Sequence, residues 1–262
     1  LQSPTGSRRI LVDDDSDSPR YVSTGHLLST ETGRLIARSF VAGSEDPPGP
    51  AITVLEGVST NSSGVAEYFV SDAGDLVYWP AIGAAAGLDL AFHWVDFEGN
   101  ETLASSHTGH FRMPRLSPDG RQIASIVRND EGPDDVWLLD LTRDIQSRFT
   151  NAGDNHAPTW TPDGTTLIFA SNVGFTEGAA RVSGGNLNLH RQVVDQGAPR
   201  ELLLEDPDWE WGSSVTPDGE TLVYSDRSSE LEWSIWTLPL TDLESRPLIQ
   251  EPGFTAKDAD VS

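Results

Sequence analysis

Cysteine is absent from the 262 residues, so no disulfide, no thiolate metal ligand and no thiol nucleophile is available. Basic residues are scarce: 17 Lys and Arg stand against 41 Asp and Glu, for a net charge of −24. A surface of that sign repels phosphate backbones, which argues against nucleic acid and an anionic membrane surface as partners, while it draws cations. No apolar run is long enough to insert into a membrane. Nothing at the start reads as a basic, apolar leader, and with Leu1 in first place an upstream leader or domain is left open. The local signatures of catalysis are missing as well: there is no G-x-S-x-G, no H-E-x-x-H and no phosphate-binding glycine loop.

What is present is a repeat. Ser117-Pro118-Asp119-Gly120 returns as Thr161-Pro162-Asp163-Gly164 and Thr216-Pro217-Asp218-Gly219. A worn copy stands at Ser71-Asp72-Ala73-Gly74, and Ser23-Thr24-Gly25 is a shortened one. The copies are spaced in the forties except for one longer step between Thr161 and Thr216, and Ser262 falls where another would begin. Pro presets φ, Asp bonds to nearby backbone and Gly takes the left-handed conformation, so each copy reads as a tight three-residue turn between strands. After it come β-rich runs, Gln122 to Val127, Thr166 to Ala170 and Thr221 to Tyr224. A third strand follows as Asp135 to Leu141 and again as Ser234 to Leu240. A more polar fourth closes each unit, as in Ile145 to Thr150, Ala198 to Leu204 and Ser245 to Gln250. Four antiparallel strands at this period make an all-β fold, a β-propeller.

The expected organisation is a single propeller domain over 1–262, with blades at about 19–57, 66–106, 113–150, 157–204 and 213–250. Residues 7–13 and 257–262 read as strands of an incomplete sixth blade. That leaves three closures open: a fragment of a larger six-bladed propeller, five blades closed imperfectly, or homo-oligomeric subunits that pair through open edges. Asp13, Asp15 and Asp17 alternate in an acidic loop. With no Gly in sixth place and Thr24 where a bidentate Glu belongs, it is expected to be a surface turn rather than a calcium loop. The insertion Gly174 to Gly185 accounts for the long step, and loops beyond the scaffold's need tend to carry function.

A propeller builds sites at the mouth of its channel from one side chain per blade. The fifth residue before each turn marker gives Ala66, Arg112, His156, Trp211 and Lys257; the seventh gives His110, Asp154 and Trp209. His110, Asp154 and His156 are ligand types for a divalent metal such as Zn²⁺ or Mn²⁺, with Ca²⁺ a further option; Glu67, Glu210 and Asp258 lie close in register as extra carboxylates. Such an ion would polarise a carbonyl or phosphoryl group, and Arg112 and Lys257 would hold an anionic substrate. The plainer expectation is a solvated rim that binds a ligand without catalysis. Trp209 and Trp211 are then stacking surfaces for a sugar or peptide, or else packing anchors.

With these repeats the chain resembles the TolB-like, WD40-like propellers of bacteria. Gly25-His26-Leu27-Leu28, Val54-Leu55-Glu56-Gly57, Trp94-Val95-Asp96 with Gly99, and Pro114 to Gly120 are similar to the propeller C-terminal to bacterial serine/threonine kinase domains. The resemblance implies an extracytoplasmic interaction module that takes a protein, peptide or small-molecule ligand. Relatives of the architecture include a metal-dependent lyase of pectic oligosaccharides and peptidase-associated propellers, so a hydrolase or lyase is the rival expectation, and a self-assembling subunit a third.

Overall fold

The computed structural model describes residues 17–22, 24–44, 46–59, 66, 68–70, 76–78, 90–95, 100–128, 132–173, 187–195, 197–205, 209–227 and 233–250. Asp13, Asp15, the turn copy at 71–74, the insertion at 174–185 and the strands expected at 7–13 and 257–262 lie outside them. The described residues contain strands and turns and no helix.

Among the described residues twenty strands form five four-stranded antiparallel sheets, each in simple sequential order. The first comprises β1 (Asp17–Val22), β2 (His26–Glu31), β3 (Arg34–Ser39) and β4 (Ile52–Glu56). The second comprises β5 (Tyr68–Val70), β6 (Leu76–Tyr78), β7 (Leu90–Val95) and β8 (Glu101–Gly109). Then follow β9 (Phe111–Leu116), β10 (Gln122–Val127), β11 (Asp135–Asp140) and β12 (Ile145–Arg148). The fourth sheet is β13 (Asn155–Trp160), β14 (Thr166–Ser171), β15 (Asn188–Val193) and β16 (Glu201–Leu204). The fifth is β17 (Trp209–Val215), β18 (Thr221–Arg227), β19 (Trp233–Pro239) and β20 (Arg246–Ile249). These are propeller blades.

Burial runs across each blade as the composition dictates. The second strands are apolar on consecutive positions and buried on both faces, as at Ile123 to Ile126, Leu167 to Ala170 and Leu222 to Tyr224. The fourth strands β12 and β20 are short and mostly exposed. A strand buried on both sides loses the usual two-residue alternation because a neighbouring sheet covers each face.

The chain divides into two compact units, Leu1–Thr108 with Ser262, and Gly109–Val261. In the first, Leu28 and Leu35 pack with Val58, Ala66, Tyr68 and Leu76, joining the first two blades. In the second, Ala124, Ile126, Val136 and Leu138 pack with Trp160, Leu167 and Phe169, joining the third and fourth blades. Trp160 also donates its indole N–H to the Arg115 carbonyl at 3.0 Å. Leu189, Leu203, Val215, Leu222 and Leu238 continue the core between the fourth and fifth.

The recurring turn is built alike three times, and it differs from the expected three-residue loop. Ser117 N–H donates to the Gln122 carbonyl at 2.7 Å, so residues 118–121 form the loop. The Ser117 carbonyl is taken by Gly120 N–H at 2.9 Å, and Gln122 N–H therefore turns to the Ser117 hydroxyl oxygen at 2.9 Å. That hydroxyl donates to Asp119 Oδ1 at 2.7 Å. Thr161 with Asp163 and Thr166, and Thr216 with Asp218 and Thr221, repeat every one of these bonds. A side chain thus stands in for a backbone acceptor, which is why the marker is Ser or Thr. Gly120, Gly164 and Gly219 close the turns at φ of 70°, 68° and 75°.

Candidate functional site

The first strand of each blade in the second unit carries a β-bulge at one and the same register. In β9 the pairing slips between Arg112, opposite Ile126, and Arg115, opposite Ala124, so Met113 and Pro114 together face Ser125. In β13 it slips between His156, opposite Ala170, and Thr159, opposite Ile168, so Ala157 and Pro158 face Phe169. In β17 it slips between Gly212 and Ser214. Met113 and Ala157 take left-handed backbone at φ of 49° and 47°. Proline survives within β9 and β13 because a bulge frees it from the ladder. The Ser125 hydroxyl donates to the Arg112 carbonyl at 2.8 Å beside the irregularity.

Arg112, His156 and Trp211 sit immediately before these bulges, paired with Ile126, Ala170 and Ser225. His110, Asp154 and Trp209 come two residues earlier, with carbonyls of His110 and Asp154 accepting from Arg128 and Asn172 N–H and Trp209 opposite Arg227. The alternation puts His110 with Arg112, and Asp154 with His156, on one face. Glu210 pairs with Asp226. Lys257, Asp258 and Glu67 lie outside the described residues.

Of the expected site residues, the structure brings His156 and Asp154 into contact: Nε2 lies 3.3 Å from Oδ2. Asp154 is fixed on its other sides. Its Oδ1 accepts Asp134 N–H at 2.9 Å, and its own N–H donates to Asn172 Oδ1 at 2.7 Å. The hydrogen bond from His156, and then that from Asp134 N–H, hold the Asp154 carboxyl below the ordinary carboxylate value against the opposing effect of burial. The result is an imidazole oriented by a carboxylate that stays ionised. His110 is half-buried in the connection between β8 and β9, and Arg112 is exposed on β9. Among the described residues no group of three or more His, Asp or Glu side chains converges to hold a metal ion.

Sequence reasoning passed over Asn155, which lies between the two chosen residues and points the other way. Its amide nitrogen donates to Gly153 O at 2.8 Å, and at 3.2–3.3 Å to Asp134 O, Asp135 Oδ1 and Ala152 O. Asp135, 4% exposed, also takes the Thr150 hydroxyl at 2.9 Å and pairs with Arg148. The turn before β13 is therefore tied to the third blade by a buried polar network. The signal was available: the equivalent position in β9 is the buried Phe111, so an asparagine there breaks the repeat.

No family model matches the chain. Solved structures do. A putative TolB from Agrobacterium tumefaciens aligns with 89% of this chain and 80% of its own at a TM-score of 0.66 and 18% identity. A gluconolactonase from Xanthomonas campestris aligns with 92% of this chain and 77% of its own at 0.61 and 17%. An oligogalacturonate lyase in complex with manganese aligns with 89% and 64% at 0.57 and 16%. At these identities the likeness is one of fold, and the fold is a TolB-like β-propeller.

Proposed function

We propose that the chain is a non-catalytic binding propeller, extracytoplasmic as the resemblance implies, whose ligand rests on the side chains presented just before the β-bulges. The observation that carries this reading is the repeated register. Three successive blades repeat one backbone device at one register, at Arg112, His156 and Trp211, and in the third and fourth blades the position carries unlike groups, a cation and an imidazole. A composite rim of unlike groups suits recognition of a protein, peptide or small molecule with mixed chemistry. The partner is identified by screening peptides, oligosaccharides and small carboxylates for thermal stabilisation, since a ligand at 100 times its Kd adds about 2.7 kcal/mol. Hits whose stabilisation is lost in an Arg112→Ala, His156→Ala double variant support the reading. Hits that stabilise that variant equally well overturn it.

The oriented His156–Asp154 pair favours a second reading, a hydrolase or lyase in which His156 acts as general base and Arg112 stabilises an anion. Among the similar folds are the manganese-complexed lyase and puromycin hydrolase. Metal content of the purified chain, with turnover of an ester, phosphoester and uronide panel before and after chelation, separates the two. Turnover abolished by His156→Ala selects the enzyme.

A further inference from the structure

Behind the Asp154–His156 pair, on the opposite face of blade four, lies a cluster that the binding reading does not use. His190 on β15 pairs with Phe169 on β14 and stacks on its ring, with centroids 6.1 Å apart and planes 20° from parallel. The Arg200 guanidinium, from the connection into β16, lies 5.0 Å from the centroid of the same ring. Arg200 donates to Ser171 Oγ at 3.0 Å and, from both terminal nitrogens, to Ala152 O at a long 3.4 Å. Ala152 belongs to the turn that presents Asp154. The turn is thus held from two directions, by the Asn155 amide from the third blade's side and by Arg200 from the fourth.

His190 is 4% exposed, and neither ring nitrogen has a hydrogen-bond partner among the described residues. Neutral, it is an aromatic plate that packs well. Charged, it finds no carboxylate partner among the described residues. The charge that acts on it is Arg200; Asp135 of β11, which acts on Arg200, is itself engaged by Arg148 of β12, Thr150 and Asn155. On the neighbouring positions Arg191 and Glu201 pair with one another at the exposed surface. Two cations against one phenyl ring repel one another. Arg200 is the one able to leave, because it is half-exposed and its bonds to the turn are long.

We propose that His190 is a proton-operated latch on the candidate site: once charged, it displaces Arg200 from blade four and loosens the 151–154 turn that presents Asp154 to His156. Asn155 Oδ1 and Asn188 Oδ1, buried and without a partner among the described residues, belong to the neighbouring row of the same sheet, where Asn155 pairs with Ser171 and Ser171 with Asn188. Burial, and then Arg200, push His190 down from 6.5 to about 4. Acidification therefore works the latch below neutrality.

As a statement about regulation, the latch rests on the reading that Asp154 and His156 face a ligand. Its test uses no ligand, so its failure and the failure of that reading are separate results. Amide hydrogen exchange, corrected for intrinsic rates, is followed at Asp154 and Asn172 from pH 7.5 to 4, with the His190 ring titrated by NMR in the same samples. The wild-type chain is expected to lose at least tenfold of its protection at both amides between pH 6.5 and 4, out of roughly 300-fold available from a shift of this size, while the ring of the closed chain titrates near 4. His190→Phe keeps protection flat with pH; Arg200→Gln, which removes the clamp itself, has low protection already at pH 7. Should His190→Phe fail to fold, the ring titration and Arg200→Gln decide. A ring that titrates near 6.5, protection that stays flat between pH 6.5 and 4, or Arg200→Gln protected like wild type overturns the proposal.

Discussion

Thr161 makes four hydrogen bonds at one turn: its N–H and its carbonyl serve the hairpin, and its hydroxyl accepts from Thr166 N–H while donating to Asp163. Valine has the same shape and none of the hydroxyl's chemistry. It leaves Thr166 N–H part-buried without its acceptor, so Thr161→Val is expected to cost about 1–2 kcal/mol, while Thr161→Ser costs less than about 0.5. Urea unfolding reads the difference as a lower midpoint at unchanged slope. The same hydroxyl, with Thr165 N–H beside it, holds the Asp163 carboxyl below its ordinary value. The turn therefore stays intact in mild acid.

Among the elements, β13 combines the most constraints. Ala157 is buried at φ of 47°, where a Cβ is crowded and a branched one more so. Ala157→Gly is expected to stabilise the chain by about 0.5 kcal/mol and Ala157→Val to destabilise it by about 2 kcal/mol, measured by thermal unfolding. Much of this element was legible in the sequence. The turn marker fixed where β13 ends, and counting back from it selected Asp154 and His156, which do touch. The bulge was not read, although Pro114 and Pro158 at the same offset in two repeats announced it, since proline in an inner strand needs a break in the ladder. The loop length was misjudged because a sequence does not show a hydroxyl taking over a carbonyl's bond. The links from Asn155 to Asp134 and Asp135 were invisible for another reason: they join residues of different blades, and no local period encodes them.

At the scale of the whole molecule, acid acts through its buried histidine. His190 is neutral in the folded and unfolded chain above pH 6.5 and contributes no pH dependence there. Between 6.5 and about 4 the unfolded chain binds a proton that the folded one refuses, so stability falls with pH. The loss is complete below the folded value and amounts to about 3 kcal/mol at most. Unfolding free energy measured between pH 7.5 and 4 is expected to decline along this limb in the wild-type chain and to decline less in His190→Phe.

The repeated turn also has a consequence for variation in length. Four bonds and a glycine at each copy fix how many residues separate the first and second strands of a blade, so that end of the sheet tolerates neither insertion nor deletion without losing register. The connections between second and third strands leave from the opposite end. Their lengths differ: the chain from Val127 to Asp135 is short, and that from Ser171 to Asn188 much longer. One end is ruled like a printed margin and the other leaves open lines. A foreign peptide grafted within the 174–185 insertion should be carried as a passenger, whereas the same graft between β9 and β10 would have to be written over the line that sets the blade.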